Sequence, residues 1–309
     1  MKRTRATLLA LVILAGLGPQ ACGGPKPPGP PNGEEVFSRK FNLKTGLGPR
    51  WNAPSCLECH EEGGAGGPGD EVERQEELAG CAGIRIFKVF AAPGLRPEVP
   101  PDSAASRSSN DLFASGMIDA LTDEEIRARA GDPDGNGVGG FVNFLADDRI
   151  GRFGRKAQVP SLEEFVEVAF FEEQGIEVPK ELSREELQAA VQFVRNLRLP
   201  PVQGYETEKK LFASVGCAEC HPPPIYSDVL MYNLEAVEDI CVGSAKEVHF
   251  RSEPLVGLRL QQTFMHDAKS KTIEDAIRRH GGAGRQARDK FLALDSNQRQ
   301  KLLEFLRKL

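Results

Sequence analysis

The chain has 309 residues, 40% hydrophobic and 27% charged, a globular composition rather than that of a disordered or membrane-embedded protein. A formal charge of -6, with no Lys/Arg run after the first five residues, argues against nucleic acid as a partner, because phosphate binding needs a clustered basic surface. The length suits two domains.

The N-terminus reads as an export signal. Lys2, Arg3 and Arg5 precede an apolar run over residues 6–17 that is too short to stay in a bilayer as a spanning helix, and a break follows at Gly18-Pro19. The next residues, Gln20-Ala21-Cys22-Gly23-Gly24, resemble the end of a bacterial lipoprotein signal, in which Cys22 becomes the lipid-bearing first residue. Ordinary cleavage nearby, with Cys22 incidental, is the alternative. Residues 1–22 are therefore expected to direct the chain to the periplasm or cell envelope, with membrane contact only through a lipid anchor at Cys22. Residues 23–36 are Pro/Gly-rich and read as a tether.

Two CxxCH motifs follow, at Cys56, Cys59 and His60 and at Cys217, Cys220 and His221. Cysteines three apart at a helix start can both reach the vinyl groups of a haem, while the next histidine turns onto the iron. Two covalently bound haem c groups are expected. A zinc site assembled from the two CxxC pairs competes with this reading, but the pairs lie far apart in the chain and each is followed by histidine. Cys81 and Cys241 remain, either as a disulfide or as two separate thiols.

Between the motifs, Asp132-Pro133-Asp134-Gly135-Asn136-Gly137-Val138 is similar to the start of a calcium loop, with Asp132, Asp134 and Asn136 as oxygen ligands. Its twelfth position is Asn143 and not a bidentate glutamate, so a metal-free Asp/Gly turn stays equally open. Capped helices then recur in a repeated order. Residues 161–164 form a capping box, and 183–186 precede Leu187, Val191, Val194 and Leu197 at helical spacing. In the second half, residues 272–275 and 295–298 play the same parts, before Leu302, Leu303, Leu306 and Leu309. Pro200-Pro201 marks the boundary. Scarce β-branched alternation predicts an all-α protein of two cytochrome c-like domains, residues 37–200 and 201–309.

The histidines separate the two halves by role. His60 and His221 are the proximal ligands, and the three others, His249, His266 and His280, all belong to the second half. The first half offers only Met117, which as a lone methionine fits core packing better than ligation. In the repeat, the helix position that presents His280 in the second half presents Ala169 in the first. An open first haem and a His221/His280 pair on the second are expected, as a reaction centre with an electron feed. Heterolysis of bound peroxide needs an acid/base over the iron, and Glu173, near the end of the helix carrying Ala169, is the candidate. A solvated helix face at Glu172 and Glu173 is the bland alternative.

The segments GLGPRWNAPSCLECH, DPDGNGVGGFVNF, GRFGRKAQVPSLEEF, GCAECH and PLVGLRL, with MHDAKSKTIEDAIRRHGG, together resemble the di-haem oxidoreductase family, a group also titled thiol oxidoreductases, with relatives among di-haem cytochrome c peroxidases and MauG enzymes. The resemblance spans most of residues 37–309. It implies a peroxidase-like architecture, His280 as the second haem's distal ligand and a catalytic glutamate at Glu173; in the relatives calcium lies between the haems, which locates no site in this chain. A small redox protein as electron donor or acceptor and hydrogen peroxide as substrate are the implied partners; a non-catalytic di-haem electron carrier is the alternative. Arg155 stands in place of the tryptophan of the family's FGWKA, which puts the inter-haem relay in question, with Trp51 as a substitute or as packing. Tyr232 stands where histidine is frequent, and Ala283 replaces the acid of HGGEA.

Overall fold

The protein is described by a computed structural model over residues 29–309, except 70, 71, 79, 133, 134, 136 and 236–239. The signal segment and Cys22 lie outside the described residues, as do Asp134 and Asn136.

From Asn32 the chain forms helix α1 (Gly33–Ser38), strand β1 (Arg50–Trp51) and a single helical turn, α2 (Cys56–Cys59). Strands β2 (Val72–Leu78), β3 (Gly83–Ile86), β4 (Phe90–Ala91) and β5 (Ala105–Ser108) follow, then helices α3 (Ser115–Asp119), α4 (Asp123–Arg129), α5 (Leu162–Gln174) and α6 (Arg184–Asn196). Beyond Pro200-Pro201 come α7 (Glu206–Ser214), strands β6 (Met231–Asn233) and β7 (His249–Arg251), and helices α8 (Ile273–Arg278), α9 (Arg285–Ala293) and α10 (Ser296–Leu306).

The expectation of an all-α protein is therefore corrected: 34% of the chain is helix and 13% strand. Three small sheets are present among the described residues, with strand orders β1-β4, β3-β2-β5 and β6-β7, all antiparallel. The central strand β2 shows why the sequence misleads. It reads VERQEEL, and Glu, Arg and Gln are strong helix formers. Its period of two is written in polar residues, since Glu73, Gln75 and Glu77 share one face and Arg74 and Glu76 the other. Gln75 is buried, and the Glu77 carboxylate accepts from the N–H groups of Cys81 and Cys241. Arg74 donates to the carbonyls of Pro101, Asp102 and Ala104. Hydrogen bonds hold this strand where apolar burial would hold a usual one.

The helices obey their caps. Ser183 accepts from the Glu186 N–H while Glu186 reaches back to the Ser183 N–H, and Asp295 and Gln298 repeat the exchange at α10. α5 begins on the Ser161 hydroxyl and ends at Gly175, whose left-handed φ of 66° lets its N–H meet the last carbonyls. α6 buries Leu187, Ala190, Val191 and Val194, a stripe at helical spacing. Each larger side chain contributes about 1.5–3 kcal/mol of transfer free energy. α1 crosses α6 so closely that a Cβ on Gly33 would stand 2.0 Å from the Ala189 carbonyl oxygen, so only glycine fits there.

Residues Pro31–Leu309 form one compact unit around two main apolar clusters. The first gathers Phe37, Phe153, Leu162, Phe170, Leu187 and Val194, and is joined by Ile225, Val229, Leu230 and Tyr232 from beyond the second CxxCH motif. The second gathers Phe212, Ile273, Phe291, Leu302 and Phe305. Lys156 ties loops together from the interior: its ammonium donates to the carbonyls of Glu247 and His249, at 3.0 and 2.8 Å, and lies 3.8 Å from the Phe250 ring centre.

Candidate functional site

Two cavities hold the chemistry-bearing residues. The first, of about 810 Å³, is lined by Cys56, Cys59 and His60, and the second, of about 550 Å³, by Cys217, Cys220, His221 and His280. The four cysteines thus divide between two chambers and do not converge on one metal, which removes the zinc reading.

Each motif is set by a short turn. The buried Ser55 caps α2 by accepting from the Glu58 N–H at 3.3 Å. Cys56 and Cys59 then stand one turn apart on one side of the helix, and His60 leaves helical geometry at φ -132°, ψ 57°. In the second motif, Gly216 takes a left-handed φ of 95° and opens a 3-10 turn at Cys217–Glu219, after which the His221 N–H returns to the Cys217 carbonyl at 3.0 Å. Burial pushes the thiol of Cys56 up to about 11 and those of Cys217 and Cys220 up to about 12, so all three are neutral.

The three site histidines share one device. Nδ1 lies 3.2 Å from the Gly67 carbonyl in His60, 3.0 Å from that of Tyr226 in His221 and 2.8 Å from that of Ala276 in His280. A carbonyl can only accept, so Nδ1 carries the proton and Nε2 keeps its lone pair. Burial lowers the basicity of all three and takes His280 to about 4, with the charge of His221 acting in the same direction. His249 differs, because its Nδ1 accepts from the Lys246 N–H at 3.1 Å. His266 lines the second cavity and stacks on Phe250 at 4.1 Å between ring centres.

The first cavity has no second histidine and no methionine among its described lining residues. Ala169 lines it, and Met117 packs against the first apolar cluster instead. Glu173 also lines it, and its carboxylate accepts from the Asn52 amide at 2.7 Å. Burial, with the nearby charge of Glu73, raises the Glu173 carboxyl well above the usual range. Beside it the Gln174 amide nitrogen reaches the Cys56 sulfur at 3.6 Å, while its buried side-chain oxygen has no hydrogen-bond partner among the described residues.

Several residues in these chambers escape sequence reasoning. Glu73 and Gln75 enter the first cavity from β2 and Arg107 from β5; the polar alternation of β2 is the signal that would have found the first two. Asn110, Asp111, Arg155, Arg251, Glu253 and Pro254 line both cavities and form the wall between them. Cys81, which lines the first cavity, is joined to Cys241 by a disulfide. Trp51 lines neither cavity and stacks on Phe90, with ring centres 6.4 Å apart. Tyr232 lines the second cavity and donates to Asp228 at 2.5 Å. Asp132 accepts from the Gly137 N–H at 2.8 Å within its loop.

Residues 225–309 match the model of a family described as "Di-haem oxidoreductase, putative peroxidase". That stretch is similar to the di-haem oxidoreductase family. The matched segment holds His280, Tyr232 and Glu253, and the assignment supports a di-haem redox function with oxidoreductase activity. No curated protein matches the chain. Among solved structures, hydrazine synthase of Kuenenia stuttgartiensis, pressurised with xenon, is 15% identical over 100% of both chains with a TM-score of 0.46. A MauG-like protein associated with microbial copper homeostasis is 18% identical over 71% of this chain and 94% of its own, with a TM-score of 0.39.

Proposed function

We propose that the chain is an exported di-haem c-type oxidoreductase of peroxidase type, with the first cavity as reaction centre and the second as electron-transfer centre. One observation carries this reading: His60 stands alone in its cavity, whereas His221 and His280 share theirs. The donor sets fit haem. Each chamber has a pair of thiols for the vinyl groups and a histidine whose Nδ1 is tied to a carbonyl, leaving Nε2 for iron. The cavity volumes suit a cofactor of that size. Cys56, Cys59 and His60 would hold one haem; Cys217, Cys220, His221 and His280 would hold the other.

A haem held in the first chamber by Cys56, Cys59 and His60 would supply an iron able to change oxidation state and to bind peroxide. The Glu173 carboxyl, kept protonated by burial and by Glu73, gives its proton to the departing peroxide oxygen, and the Asn52 amide keeps it aimed. Val166 and Ala169 also line this chamber and offer the iron no ligand atom. Electrons arrive one at a time from a small redox protein. The Cys81–Cys241 disulfide supports export, since such bonds persist in oxidising compartments.

Low-temperature EPR of the oxidised protein, quantified against total haem, tests this reading. One high-spin and one low-spin signal in equal amounts are expected. Two low-spin signals would favour the electron carrier instead.

A further inference from the structure

The wall between the chambers contains a connected polar path. The Asn110 side-chain amide donates to Glu253 Oε1 at 2.6 Å. Asn110 and Glu253 both line the His60 chamber and the His221 chamber. One short hydrogen bond between two residues therefore spans the wall that separates the two motif histidines.

Cations brace this link from both sides. Arg155 hydrogen-bonds to the Asn110 side-chain oxygen and lies 3.4 Å from Glu253 Oε2, to which Arg251 donates at 3.2 Å. Both side chains of the bridge are thus fixed by partners on their remaining atoms. No aromatic side chain lines both cavities among the described residues.

We infer that the hydrogen-bonded pair Asn110–Glu253 carries the electronic coupling between the two centres, as a polar bridge in a wall without an aromatic relay. This rests on the di-haem reading above. In each transfer one electron leaves the centre at His221, which is oxidised by one unit, and arrives at the centre at His60, which is reduced by one. No bond or proton changes partner. The electron is replaced at the His221 centre by an external one-electron donor protein.

The test is flash photolysis of carbon monoxide from the half-reduced holoprotein, following the spectra of both haems as the electron redistributes. Asn110→Leu keeps the main-chain carbonyl and removes the bridging bond, and should slow redistribution by an order of magnitude or more. Asn110→Ser, too short to span to Glu253, gives the same readout if the leucine form does not fold. Glu253→Gln retains an acceptor oxygen and should keep the rate. An unchanged rate without the Asn110 amide, or equal loss in the Asn110 and Glu253 variants, overturns the bridge. Failure of the di-haem reading is separate: it would be seen beforehand, as a protein lacking two haems or a first centre that takes up no carbon monoxide.

Discussion

Glu73 and Glu173 meet across the first cavity from elements with nothing else in common, one on a strand and the other at the end of α5. Two carboxyls in contact inside a buried chamber cannot both ionise, so they hold a proton between them. Gln75 steadies Glu73 with a 3.0 Å hydrogen bond and Asn52 steadies Glu173. The pair therefore keeps an acid in reserve at a pH where an isolated glutamate has none.

Replacing Glu173 with Gln should slow peroxide turnover by roughly 10²-fold or more, the size of a lost acid/base contribution. Steady-state rates with an excess of electron donor measure this; full turnover would remove the residue from the mechanism.

Glu73→Gln should act through pH instead. Glu173 must carry its proton to act as acid, and its raised carboxyl owes part of its shift to the neighbouring charge. Without that charge the proton leaves at lower pH, so the alkaline limb of the rate profile should move down while the plateau at low pH remains. A profile that keeps its position would show that the two carboxyls do not communicate.

His280→Ala should turn the second haem from low to high spin, visible in both EPR and optical spectra, and leave the first haem's signals in place. The ring of His280 is held by the Ala276 carbonyl on Nδ1, so its Nε2 is the atom lost. An unchanged spectrum rules out His280 as a ligand.

Asp111 predicts a stability trend. Burial pushes its carboxyl up to about 7, opposed by the Gln261 amide. Between the unfolded value and about 7 the folded chain binds more protons than the unfolded one, so this contribution is complete below the unfolded value and is lost as pH rises through the folded one. The loss is on the order of 4 kcal/mol at most. Asp111→Asn should flatten that component, and unfolding followed at pH 5 and at pH 8 would detect it.

Opening the Cys81–Cys241 disulfide, with its sequence separation of 160, should cost about 2–5 kcal/mol. Denaturant midpoints of a Cys81→Ser/Cys241→Ser double variant provide the measurement, and an equal midpoint would mean that the bond does not staple the fold.

Much of the site is legible in the chain because its signals are local. The CxxCH motifs and the caps at Ser183 and Asp295 need only neighbours along the sequence, and so does the equal spacing of Ala169 and His280 from their caps, although Ala169 lies within α5 and His280 just beyond the end of α8. Glu73, Asn110 and Glu253 carry no such signal. Their positions depend on β2 pairing with β5 and on loops that meet across the two halves, so their roles arise from contacts distant in sequence. The strands fail to announce themselves for a related reason: β2 is stabilised by Glu, Gln and Arg side chains finding partners, and nothing in their apolar content records it.

The three-stranded sheet leaves a separable design. Helices and their motifs supply the histidines and thiols, while β2 and β5 bring Glu73, Gln75 and Arg107 to the first chamber in a register that pairs Glu73 with Arg107. A change in these strands alters what the chamber accepts without touching the residues that would grip the haem. Under the proposed function, substrate preference can thus drift on this sheet while the second chamber stays as it is, and one scaffold can be retuned for different oxidants or reductants through a few cavity-facing strand positions.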